Sequence, residues 1–126
     1  MESNNLFHTL LELRAASLAT LPVTAQVASR IRYDIILLLS ASWSRDECLT
    51  IKQLYAQLPH SQSAIRHHFD FLLDGGWLHL EDDDSDRRIR YVVPSEKLVR
   101  QIMAWEEKCS QVLDKYKSNS LPADNG

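Results

Sequence analysis

The 126-residue chain is the size of one domain, and its 44% hydrophobic and 25% charged residues are an ordinary balance for a globular protein with a single core. A net charge of −3 excludes the broad basic excess of a general nucleic-acid binder, so contact with a polyanion has to come from a local arrangement. Ile35 to Leu39, the longest aliphatic stretch, falls far short of the roughly 18 residues of a membrane span, and Cys48 and Cys109 form neither a disulfide framework nor a zinc-ligand spacing.

No basic and then apolar segment opens the chain, so a cytoplasmic address is expected. From Leu6 to Leu21 apolar residues recur every three or four positions, which predicts a first helix ending before Pro22. A second helix is expected from near Thr24 to about Trp43, with Val27, Ile31, Ile35, Leu38 and Leu39 on one stripe. Its run from Ile35 to Leu39 is apolar all round and predicts burial on more than one side.

Thr50-Ile51-Lys52-Gln53 has the form of a capping box opening a short helix from Ile51 to Leu58. After Pro59-His60, Ser61 or Gln62 opens a further helix that stops at Gly75-Gly76. Two helices joined by a three- or four-residue turn are the helix-turn-helix signature. Beyond the glycines, Leu78 and Leu80 alternate with His79 and Glu81, and later Ile89, Tyr91 and Val93 alternate with Arg88, Arg90 and Val92, as two strands of a hairpin. From Pro94-Ser95 a helix of about twenty residues carries Leu98, Ile102, Trp105, Cys109 and Val112 on one stripe.

The fold class is therefore mainly α with a small β-hairpin: a winged helix-turn-helix flanked by N- and C-terminal helices. One domain is expected over residues 1–118, with its winged core at 49–94, terminal helices at 5–21 and 95–117, and a disordered tail at 119–126. The terminal stripes exceed what a small winged module needs for its own core. Leu6, Phe7, Leu10, Leu98, Ile102, Trp105 and Val112 are expected to pair with a second copy in a two-fold homodimer.

In a helix-turn-helix the second helix offers its N-terminal half to base edges of double-stranded DNA. Helical projection puts Gln62, Ser63, Arg66, His67 and Asp70 on a polar face and Ile65, Phe69 and Leu72 on an apolar one. Arg66 suits guanine, Gln62 suits adenine, and the Ser61 and Ser63 hydroxyls can reach phosphate or base. Arg87, Arg88 and Arg90 lie where a wing meets the minor groove. Two roles stay open for the acidic run Asp82 to Asp86: bonding the tip arginines and backbone amides to shape the loop, or repelling DNA.

From about Arg32 to Ser95, half the chain, the sequence resembles the multiple antibiotic resistance regulator (MarR) family of dimeric winged-helix transcription factors. The resemblance is carried by Leu49-Thr50, by Ser61-Gln62-Ser63-Ala64-Ile65, by Leu72 with Gly76-Trp77-Leu78, and by Asp86-Arg87-Arg88. It implies a homodimer on a palindromic operator, paired through both terminal helices and in some members released by small phenolic or oxidising effectors. It also gives Arg88 the part of a minor-groove arginine, with Asp86 as its orienting partner. Glu81 to Asp84 and His79 depart from the pattern.

His67 and His68 point about 100° apart on a helix, and His67 with Asp70 supplies only two ligands, so no metal and no cofactor are expected. No nucleophile elbow, zinc-protease or phosphate-loop motif occurs in the sequence, which argues against an enzyme. The alternative from a different class is a winged-helix interaction module whose acidic wing binds a protein rather than DNA.

Overall fold

The computed structural model describes residues 2–21 and 29–120. Helix α1 spans Glu2–Thr20 and α2 spans Ser29–Ser44; the expected start of α2 near Thr24 lies outside the described residues. The two-residue strand β1, Leu49–Thr50, runs directly into α3, Ile51–Gln57, and α4 covers Gln62–Asp74. Strands β2, Leu78–Asp82, and β3, Arg90–Pro94, precede α5, Glu96–Ser120. The first two residues of the expected tail belong to α5, and 121–126 lie outside the described residues.

Two compact units arise, one formed by α1 with α5 from Gln101 onward and the other by α2 through Arg100. In the second unit α2 packs on α4 and β3. Its core is made by Ile35, Ile36 and Leu39 of α2, Leu54 of α3, Ile65 and Leu72 of α4, Val92 of β3 and Leu98 of α5, each no more than 2% exposed. Leu37 is 44% exposed, so the aliphatic run of α2 is not buried all round. A helix surrounded on one broad side by α4 and the sheet still leaves one position per turn outward.

Local chemistry sets the boundaries. The Thr50 hydroxyl accepts from Gln53 N at 3.0 Å while Gln53 Oε1 accepts from Thr50 N at 2.9 Å, completing the capping box. The Ser61 hydroxyl caps α4 by accepting from Ala64 N, and Ser95 Oγ does the same for Leu98 N at the head of α5. At the far end of α4, Gly76 N donates to Leu73 O and Trp77 N to Leu72 O, the paired bonds of a Schellman stop. This stop requires Gly76 at φ +75°, a conformation that costs an L-residue roughly 1–2 kcal/mol. A Cβ added there meets nothing within 4 Å, so the cost of Gly76→Ala is purely conformational. Part of it is offset by the stiffer unfolded chain, leaving a net loss of about 1 kcal/mol, readable as a lower denaturant midpoint at unchanged slope.

The sheet has the order β1-β3-β2, antiparallel throughout. Leu49 faces Val92 on one side of β3, and Leu80 faces Val92 on the other. The sequence reading foresees the hairpin but not β1, because two residues carry no period. Its effect is to anchor the start of α3 to the root of the wing.

In the first unit, α1 buries Thr9, Ala16, Ser17 and Thr20, whereas Leu6, Phe7, Leu10, Leu11 and Leu18 are exposed. The helix thus turns its small side chains inward and its largest apolar ones outward. An ion pair joins Lys115 of α5 to Glu12 of α1 at 3.1 Å.

Candidate nucleic-acid interface

Helix α4 separates its faces as the projection requires. Ile65, Phe69 and Leu72 are at most 4% exposed, while Ser61, Gln62, Ser63, Arg66, His67 and Asp70 are all exposed. The inner face is tied to α3 by the Tyr55 ring, which meets Phe69 edge-on with centroids 6.0 Å apart. Burial, followed by the Asp70 charge, raises the Tyr55 pKa. Ile51 and Tyr55 of α3, Gln62, Ser63, Arg66, Phe69 and Asp70 of α4, and Leu80 of β2 border a shallow open groove.

Arg66 stands 3.9 Å from Asp70 one turn on, with its side chain 78% exposed. At that distance and exposure the pair is worth only a few tenths of a kcal/mol, so the guanidinium is available to another acceptor. The Ser61 hydroxyl is already committed as an N-cap acceptor but retains its proton for donation.

The wing is built by its carboxylates. Asp83 Oδ2 accepts from Ser85 N, Ser85 Oγ and Asp86 N at 2.8–3.0 Å, and Asp83 Oδ1 accepts from the Tyr91 hydroxyl at 3.0 Å. Asp86 in turn grips Arg88: Oδ1 accepts from Arg88 N and Nε, and Oδ2 from an Nη, all at 3.0–3.1 Å. The bidentate fork fixes the guanidinium plane on one edge while the side chain remains 89% exposed. Asp82 pairs with Arg90 at 3.3 Å and Glu81 with His79 at 3.0 Å. Of the two roles open to the acidic run, the loop-shaping contacts are formed. Among the described residues Arg87 has no ion-pair partner.

Hydrogen bonds from the Ser85 hydroxyl and then from Tyr91 hold the Asp83 carboxyl below its ordinary value of 3.8, and Arg88 does the same for Asp86. A lowered acid keeps its contacts fully above the ordinary value and loses them as the pH falls through the lowered one. The Ser85, Asp86 and Arg88 amide resonances are therefore expected to hold steady on acidification until below pH 3.8 and then move together. Movement centred at or above that value would contradict the contacts.

Sequence reasoning missed three contributors. Tyr91 supports the wing tip from eight residues away. Lys97 donates to Gly75 O at 3.0 Å and stands 3.9 Å over the Trp77 ring, setting a cation at the C-terminal end of α4. His68 is buried and accepts at Nδ1 from Arg32 Nε at 3.0 Å. The Asx turn of Asp83 was legible as an aspartate two residues before a loop serine; the other contacts carry no local signal. Of the residues expected on a pairing face, Leu6, Phe7 and Leu10 are exposed, Trp105 and Val112 are half-buried, and Leu98 and Ile102 are buried within the chain itself.

No family model and no curated protein sequence matches this chain. Solved structures do. The chain is similar to YusO of Bacillus subtilis (TM-score 0.66, 12% identity, 94% of this chain and 77% of that one). It is also similar to a protein of Bacillus cereus described as a MarR-like transcription regulator (TM-score 0.59, 13% identity, 98% and 82%). The fold is that of the MarR-like winged-helix regulators. The chain is similar as well to BpsR of Bordetella bronchiseptica (TM-score 0.54, 14% identity, 96% and 82%), whose DNA binding is regulated by 6-hydroxynicotinic acid. Among the described residues no helix is long and apolar enough to cross a membrane.

Proposed function

We propose that this chain is a sequence-specific transcription regulator that binds a palindromic DNA operator as a homodimer. The recognition helix, residues 61–74, enters the major groove, and the wing, residues 81–90, reaches the minor groove. The observation that carries the reading is the juxtaposition of two donor sets: the outward face of α4 with Gln62, Ser63, Arg66 and His67, and a wing that presents Arg88 on a bidentate Asp86 clamp. Ser61 and Arg87 supply phosphate contacts, and Arg90 lines the wing behind them. The transcription-regulator descriptions of proteins with the same fold support it.

The acidic wing does not favour a protein partner over DNA, because Asp82, Asp83 and Asp86 are engaged by the wing's own donors. For the homodimer, support comes from α1, whose exposed Leu6, Phe7, Leu10 and Leu11 form an apolar face of the kind that marks an interface. Half-buried Trp105 and Val112 of α5 are proposed to join it. A two-fold dimer places its recognition helices about 34–36 Å apart in successive major grooves. A domain of residues 1–118 that pairs through both terminal helices, in the cytoplasm, completes the reading. Regulation by a small aromatic acid, as for BpsR, is the corresponding proposal for an effector.

The test is a fluorescence-anisotropy titration of the chain against fragments of its own promoter region at two salt concentrations, with sedimentation of the free protein. Salt-dependent binding by a dimer is the expected result. Undetectable binding at low salt overturns the DNA reading, and a monomer at micromolar concentration overturns the dimer.

A further inference from the structure

Three histidines cluster in sequence at His60, His67 and His68, and among the described residues no three metal-ligating side chains converge. Their environments differ. His67 is exposed on the polar face of α4, whereas His68 is 5% exposed. Its polar link comes from α2, where Arg32 Nε donates to His68 Nδ1 at 3.0 Å. Arginine is always a donor, so Nδ1 must offer a lone pair and the ring must be neutral, with its proton on Nε2. The same guanidinium lies 3.5 Å over the centre of the Phe71 ring. One α2 residue thereby holds α4 at two positions on adjacent turns, both just C-terminal to the base-facing residues.

The charges around His68 are cationic or potentially so. Arg32 faces it from α2, the His67 ring is 5.0 Å away on α4, and His60 approaches from the turn, itself bound to Asp34 at 2.8 Å. Among the described residues no carboxylate is placed to favour the charged ring. Burial first, and then Arg32, lower the His68 pKa, so the ring stays neutral around pH 7.

We infer that the Arg32–His68 hydrogen bond is a strut holding the recognition helix at its working angle on α2, and that protonation of His68 in acid breaks it and weakens DNA binding. The inference rests on the DNA-binding reading above for its functional consequence. With a proton on Nδ1, two cationic donors would face each other at 3.0 Å in a site with little water, which is a repulsive arrangement. Separating them releases both the hydrogen bond and the stacking on Phe71. The base-facing residues Gln62 and Arg66 then lose their fixed position relative to the wing. His68 and Arg32 act as positioning residues and touch no base.

The sign of the effect identifies its source. Positive charge gained in acid on the DNA-facing side would strengthen binding. The Asp83 and Asp86 carboxyls, held below their ordinary value of 3.8 by their hydrogen bonds, stay charged throughout the range concerned. A loss of affinity between about pH 7.5, where the ring is neutral, and about pH 4.5, well below the ordinary histidine value of 6.5, therefore points to the strut.

The experiment measures operator affinity of the full chain at those two pH values and constant salt, for the unmodified protein and for His68→Asn. The asparagine Oδ1 occupies the place of Nδ1, accepts from Arg32 and cannot be protonated. The unmodified chain is expected to lose roughly tenfold for each pH unit below the His68 pKa, while His68→Asn loses none of that and keeps most of its affinity at the higher pH. Equal acid sensitivity of the two proteins, or none in the unmodified chain, overturns the proposal. If the chain binds no DNA at the higher pH, it is the DNA reading that fails. The strut is then decided on the free protein by nitrogen-15 NMR: the Arg32 Nε–H resonance is expected to shift with the same midpoint as the His68 ring, and independent midpoints overturn it.

Discussion

Arg66→Ala is expected to weaken operator binding by about 1–3 kcal/mol, a factor of roughly 5 to 150, without lowering the melting temperature of the free protein. The two halves of that expectation have separate physical grounds. In the free chain the Arg66 side chain is 78% exposed and pairs with Asp70 at 3.9 Å, so its removal leaves no buried group unpaired and costs the fold a few tenths of a kcal/mol at most. On DNA the same guanidinium can donate two parallel bonds to guanine O6 and N7, an interaction that carries sequence information. The loss should therefore fall mainly on the cognate site, with random DNA of equal length bound nearly as before. Arg87→Ala provides the contrast. An arginine at the wing tip with no ion-pair partner among the described residues is proposed to act on phosphate, so its removal should weaken all sequences alike and reduce the salt slope by about one. If Arg66→Ala weakens cognate and random DNA equally, the assignment of Arg66 to base reading is wrong even though the protein binds DNA.

What the sequence makes legible here are the features closed within a few residues. The Thr50–Gln53 box, the Ser61 cap and the Gly75-Gly76 stop each span less than two turns, and each marks a helix boundary that the structure reproduces. The division of α4 into Arg66 and Ile65 faces follows from 3.6 residues per turn. Contacts between elements leave no such trace. Arg32 and His68 are separated by 36 positions, and either residue alone suggests only a surface cation and a histidine. β1 is invisible because a two-residue strand is defined by its partner β3. The terminal stripes illustrate a different limit. Periodicity reports that Leu6 and Leu98 lie on apolar faces, but not what covers them, and only coordinates separate exposed Leu6 from buried Leu98. The wing lay between these cases: the Asp86-Arg88 spacing is local and readable, whereas the role of Asp83 depends on Tyr91 across the hairpin.

A large stability effect is expected at Phe69. Its ring is 4% exposed, meets Tyr55 edge-on and borders the same groove as Arg66. Phe69→Ala removes both the apolar burial and the aromatic contact and leaves a cavity between α3 and α4, at a cost of about 3–5 kcal/mol. Against a typical total of 5–15 kcal/mol, that takes a large share of the stability, and the melting temperature should fall by on the order of ten degrees. Phe69→Leu fills most of the space and loses chiefly the edge contact, so its cost should be well under half as large. The functional consequence is the reverse of that for Arg66. At a temperature where Phe69→Ala is still folded, its exposed donors Gln62, Ser63 and Arg66 are chemically intact, and operator affinity per folded molecule should fall less than in Arg66→Ala. A Phe69→Ala protein that melts normally but binds DNA poorly would mean that this ring contacts the ligand and that α4 is seated on α3 by other side chains.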